Sequence, residues 1–154
     1  HNEMLKRYPE YLSVLYRPMW YPHAANEPCQ APIFSYHAEK LSCRYMRQYL
    51  ELSQNDLGIP LSQVELKAFD LMDSIMNEDG IRVDMMMQRG DLQLVNNYTV
   101  LHSRTNFEDH LEPNLRRKKL RLWLNTEGAR KLEYEFPGRH GFPNPEISEI
   151  NSAS

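Results

Sequence analysis

Four strand-like stretches lie in the second half of the chain, the first and last of them alternating apolar and polar residues with a period of two, and this pattern most constrains the fold. Residues 81–88, "IRVDMMMQ", put Val83, Met85 and Met87 on one side. "LQLVNN" (92–97) follows as a second strand, and "VLHSR" (100–104) as a third or as its continuation. "KKLRLWLN" (118–125) then places Leu120, Leu122 and Leu124 on one face and Lys119, Arg121 and Trp123 on the other. Side chains on extended backbone point alternately to opposite faces, so such stretches read as half-buried strands. Arg89, Gly90 and Asp91 read as a turn between two of them, and residues 106–114 as a polar loop. Successive strands joined by short turns imply an antiparallel β architecture with helices outside it.

The first half is more mixed. Met4, Leu5, Tyr8, Leu12 and Leu15 recur at helical spacing, and Pro9 should split or kink that helix. Residues 17–32 hold Pro18, Pro22, Pro28 and Pro32 and read as a loop. "PIFSYH" and "KLSCRYM" read as two strands around a tight turn at Ala38 and Glu39. Residues 46–54 are ambiguous, with a helix possible. The clearest helix starts at Ser62, where Ser62 and Glu65 have capping-box spacing. Val64, Ala68, Leu71 and Ile75, widened by Phe69, Met72 and Met76, give it an apolar face. Beyond residue 126 the chain is rich in Pro, Gly, Ser and Asn and reads as a C-terminal arm.

Composition narrows the partners. At 154 residues the chain is one domain or part of one. A net charge of −3 argues against nucleic acid and acidic membranes as partners, although "RRKK" (116–119) with Arg121 and Trp123 leaves a basic nucleic-acid-binding module as a rival reading. No run approaches the roughly 20 apolar residues of a membrane span. Cys29 and Cys43 are too few for a disulfide framework, so free thiols and a cytoplasmic setting are expected. The chain opens on His1 and enters a helical pattern at once, which suggests a missing N-terminal part.

His102, at the end of an apolar stretch, suits one ligand of an iron site built from two histidines and a carboxylate. An arginine on the next strand, among Arg116, Arg117 and Arg121, could meet the carboxylate of a cosubstrate with two hydrogen bonds. A histidine at a strand end serves equally well as a hydrogen-bonded surface residue, and a basic run as a solvated face. His37 and Glu39 make a His-x-Glu pair, but at a turn tip that faces water. Met85, Met86 and Met87 read as core packing, and Tyr8, Tyr11 and Tyr16 as helix-face packing. Arg104 is expected to pair with Glu108 or Asp109, and Asn96 and Asn97 to secure the turn before His102.

The stretch "GDLQLVNNYTVLHSRTNFEDHLEPNLRRKKLRLWLN", with "FSYHAEKLSCRYMRQYLE" upstream, resembles the C-terminal part of the TauD/TfdA (taurine dioxygenase-like) family of Fe(II)- and 2-oxoglutarate-dependent oxygenases. The resemblance implies a double-stranded β-helix, a jelly roll, lacking its N-terminal portion: a mainly β, α+β protein. It implies oxidative decarboxylation of 2-oxoglutarate, coupled through iron and O2 to hydroxylation of a small molecule. His102 would match the distal iron-binding histidine, Arg117 the arginine on the far carboxylate of 2-oxoglutarate, and Arg121 a second inward arginine. Arg44 and Tyr45 match a recurrent "RY" that could face the substrate, or could equally be structural. The family's His-x-Asp pair lies upstream of the matched stretch and has no counterpart here; the substitutes within the chain are His37 with Glu39 at the hairpin tip and, less suited, His110 with Glu112 in a polar loop only eight residues beyond His102.

On this reading residues 1–125 are the C-terminal part of an oxygenase domain and residues 126–154 an arm. The chain alone would be inactive, and a fragment or degenerate homologue that keeps only the fold is the alternative. Exposed strand edges and apolar faces would favour self-association or a partner.

Overall fold

The computed structural model describes residues 1–21, 29–122, 124 and 126–133. Trp123 and the arm from residue 134 onward lie outside them. The order of elements is α1 (Asn2–Arg7), α2 (Pro9–Leu15), β1 (Met19–Tyr21), β2 (Cys29–Ala31), β3 (Phe34–His37), β4 (Lys40–Cys43), α3 (Arg47–Asp56), α4 (Gln63–Met76) and a 3-10 turn at Pro113–Leu115.

Proline divides the first helical stretch as its chemistry requires. Pro9 takes the first position of α2, where a missing N–H costs nothing. Tyr8, at the break, leaves helical geometry with φ −143° and ψ 56°. The capping box at Ser62 forms in full: the Glu65 amide donates to Ser62 Oγ at 3.3 Å, and the Ser62 amide to Glu65 Oε2 at 2.7 Å. Ala68, Phe69, Met72 and Ile75 of α4 are buried, with Leu71 and Met76 packed at the margin. Each large apolar side chain buried this way stabilises the fold by about 1.5–3 kcal/mol. Val64, expected on the same face, is 53% exposed in the first turn of the helix.

The core lies where α2 crosses α4, α1 rests on both, and α3 backs β1. Met4, Leu12, Leu15, Tyr21, Ile33, Phe34 and Leu50 fill it. Arg47 ties α3 to α4 by ion pairs with Asp70 at 2.8 Å and Asp73 at 2.7 Å, while also holding Glu51 at 2.7 Å on its own helix. Arg7 reaches from α1 to Glu78 with two hydrogen bonds, of 2.8 and 3.0 Å.

Both sheets are two-stranded and antiparallel. β3 pairs with β4 in the register Phe34↔Cys43 to His37↔Lys40, and Ala38 and Glu39 form the tip with φ of 48° and 60°. β1 pairs with β2 in the register Met19↔Ala31 to Tyr21↔Cys29. That second hairpin corrects the loop reading of residues 17–32: Met19 and Tyr21 are buried and carry it, despite the flanking prolines.

The larger correction concerns the alternating stretches. Among the described residues from 81 to 133 there is no strand. Leu120 is 99% exposed and Leu122 82%, and Leu92, Leu94, Val83, Met85 and Met86 are exposed as well. The expectation of Met85 and Met86 as core is therefore overturned, and only Met87 is half-buried. A strand must borrow its backbone hydrogen bonds from a neighbour, and the described residues provide no neighbour for these stretches. The class among the described residues is α+β, with helix exceeding strand and the sheets small. No helix among them is long and apolar enough to cross a membrane.

Candidate active site

The approach to His102 is fastened at one point. Asn96 builds a turn: its Oδ1 accepts from the Tyr98 amide at 3.0 Å, and its carbonyl accepts from the amides of Thr99 at 3.0 Å and Val100 at 3.1 Å. The turn then docks on the outer edge of β4, where the Cys43 amide donates to the Tyr98 carbonyl at 2.9 Å. This gives Asn96 the securing role expected of it. Burial raises the Tyr98 phenol above its ordinary pKa, and the positive charges of Arg44 and Arg130 oppose that rise.

His102 follows four residues later and is exposed. Arg117 and Arg121 are exposed too, beyond the turn at Pro113–Leu115. Their neighbour Arg116 is engaged locally, donating to the carbonyls of His110 at 3.1 Å and Leu111 at 3.4 Å. Arg104 lies 4.6 Å over the Phe107 ring; among the described residues it has no ion pair with Glu108 or Asp109, which corrects that expectation. His37 and Glu39 stand at the exposed hairpin tip.

Arg44 and Tyr45 are half-buried beside the core. The Arg44 guanidinium sits 5.4 Å over the Tyr21 ring, and the Arg44 carbonyl accepts from the Tyr21 hydroxyl at 2.8 Å. Tyr45 meets Phe69 edge to face at 5.6 Å, and burial first, then the Asp73 carboxylate, drives its phenol well above the ordinary range.

The structure therefore joins the His102 approach to the β3–β4 hairpin but does not bring His102, Arg117 and Arg121 into one pocket. Among the described residues no group of three or more His, Cys, Asp or Glu could hold a metal ion. A single imidazole does not make the three-ligand iron centre that the resemblance implies, so these residues alone do not fit it.

Comparison with known proteins decides the family. Residues 1–123 match the family model described as "Taurine catabolism dioxygenase TauD, TfdA family". The chain belongs to the TauD/TfdA family. This TauD/TfdA chain is also similar to FR-33289 synthase of Streptomyces rubellomurinus (strain ATCC 31215), at 31% identity over 141 residues. The alignment covers 86% of this chain and 42% of that relative, so the chain spans less than half the length of the relative it matches.

Sequence reasoning missed one set of contacts. Arg130 Nη1 donates to the Leu41 carbonyl at 2.6 Å and lies 3.0 Å from Ser42 Oγ, and Ser35 Oγ donates to Glu133 at 2.6 Å. Residues 130–133 thus cover the hairpin and bury Ser35 and Ser42. Nothing in the local sequence marked Arg130 or Glu133, because a contact across some ninety residues leaves no periodic signal.

Proposed function

We propose that this chain is the C-terminal part of an Fe(II)- and 2-oxoglutarate-dependent oxygenase that hydroxylates a small molecule with O2. Residues 1–125 belong to the oxygenase domain, a jelly roll when complete, and residues 126–154 form a C-terminal arm. His102 supplies one iron ligand, Arg117 clamps the far carboxylate of 2-oxoglutarate, and Arg121 adds a second positive charge to the same site. The remaining ligands come from outside these 154 residues. The observation that carries the reading is the family match over residues 1–123, which includes "VLHSRT" and most of "RRKKLRLWL".

When bound, the iron would supply the oxygen chemistry. This chain's part is to present an imidazole and a planar cationic fork. The same reading makes the chain by itself inactive, because the resemblance puts the family's His-x-Asp pair upstream of the matched stretch.

Anaerobic titration with Fe(II) and 2-oxoglutarate tests both points through the weak visible charge-transfer band of such centres. The expected result is no band from the 154-residue chain, and a band from a full-length relative that carries this segment. That band should disappear in His102→Ala and weaken in Arg117→Ala. A band from the chain alone, lost in His102→Ala and in His37→Ala, would mean that a complete site forms here and would overturn the split between this segment and the rest.

A further inference from the structure

We propose that a cleft beside β3 binds a small organic cation, a primary ammonium carried on an apolar body. The cleft has a volume of about 270 Å³. Three successive residues of β3, from Phe34 to Tyr36, line it and none of β4, so it runs along the outer edge of β3. Pro32, Phe34 and Ser35 are buried and form its depth, while Tyr16, Pro18, Tyr36 and Glu133 are exposed at its mouth.

The apolar part of the lining is aromatic and firmly held. The Tyr16 and Phe34 rings lie 6.0 Å apart, inclined at 41°. His1 packs edge-on against both, at 5.9 and 5.2 Å, and one of its ring nitrogens lies 2.8 Å from the Tyr16 hydroxyl. Phe34 and Tyr36 are two residues apart on extended backbone, so their rings project from the same side of the strand. The face of an aromatic ring carries partial negative charge and attracts a cation within about 6 Å.

The polar part is a single carboxylate. Glu133 is the one charged residue among those that line the cleft. Its Oε2 accepts from the buried Ser35 hydroxyl at 2.6 Å, which fixes the group in place. Glu51, Asp73 and Glu78 each hold an arginine within 2.8 Å, whereas among the described residues Glu133 has no ion pair. Arg130, three residues away, is engaged at β4 instead, by the Leu41 carbonyl and Ser42 Oγ. With Oε2 taken by Ser35, the carboxylate offers Oε1 to a ligand. One oxygen suits a compact ammonium donor better than a planar guanidinium, whose fork needs two. The proline and aromatic rings would receive the body that the ammonium is attached to. This inference does not depend on the oxygenase reading.

The test is an NMR titration of the ¹⁵N-labelled 154-residue chain with benzylammonium at low ionic strength. The amides of Ser35, Tyr36 and Glu133 should shift and saturate at roughly millimolar ligand. Benzyl alcohol has the same ring and no charge, and should bind at least about tenfold more weakly. Glu133→Gln keeps an acceptor for Ser35 and removes the charge, and should weaken benzylammonium about tenfold as well. Tyr36→Ala should weaken it about threefold. Glu127→Gln, a charge change outside the cleft, should leave binding as in the parent. The proposal is overturned if benzylammonium gives no saturable shift at these amides, if benzyl alcohol binds as well as benzylammonium, or if Glu133→Gln binds like the parent.

Discussion

Residues 1–76 and residues 81–133 have comparable apolar patterning but opposite fates. In the first region Leu15 and Phe69 are wholly buried; in the second Leu120 and Leu122 are almost wholly exposed. The difference lies in the backbone. α2 and α4 satisfy their own N–H and C=O groups, so an apolar stripe on each is enough to dock them together. An alternating stretch satisfies nothing by itself and gains only when a neighbour is aligned beside it. The β3–β4 hairpin bridges the two cases, because the turn at Ala38 and Glu39 delivers its partner at once.

Hydrogen exchange would break this contrast most directly. Amides within Leu12–Leu15, β4 and the middle of α4 should exchange about a thousandfold or more slowly than those of residues 81–88 and 118–122. Comparable protection in both regions would mean that the second region finds a partner in solution, including another copy of the chain.

Next in size, Phe69→Ala should destabilise the packed region by about 3–5 kcal/mol in denaturant unfolding, and Leu120→Ala by less than about 0.5 kcal/mol. A large effect at Leu120 would place it in an interface. Alkaline pH gives a third comparison. Burial pushes the Cys43 thiol from 9.0 up to about 12. The folded state therefore keeps its proton where the unfolded chain loses it, so this contribution is intact below pH 9 and is lost as pH rises from about 9 towards 12. The slope approaches about 1.4 kcal/mol per pH unit, and Cys43→Ala should flatten a plot of unfolding midpoint against pH over that interval. The smallest clear effect is Ser62→Ala, about 1 kcal/mol from the lost cap of α4, measured by thermal unfolding.

What the sequence made legible follows the same divide. Pro9, the Ser62–Glu65 pair and the Ala38–Glu39 turn act within a few residues, and each appears where its local chemistry puts it. The β1–β2 hairpin was hidden because its strands are three residues long and its connection is proline-rich. The four strand-like stretches were legible as strand-competent, but pairing depends on chain far away in sequence. The candidate site is harder still: His102 and Arg117 acquire meaning from the family pattern, while Arg130 on Ser42 is a contact that no spacing announces.

The bond from Cys43 to Tyr98 has a further consequence, which is best expressed as a leash. Extended chain spans at most about 3.6 Å per residue. His102, four residues from Tyr98, therefore cannot stray more than about 14 Å from the edge of β4, however the remainder of the protein is arranged. Arg117 is tethered by the thirteen residues that run to Arg130, a leash several times longer. On the roles proposed above, the imidazole is held on the shorter tether and the arginine on the longer. A site assembled as proposed would then lie within reach of the hairpin, which limits the histidine more closely than the arginine.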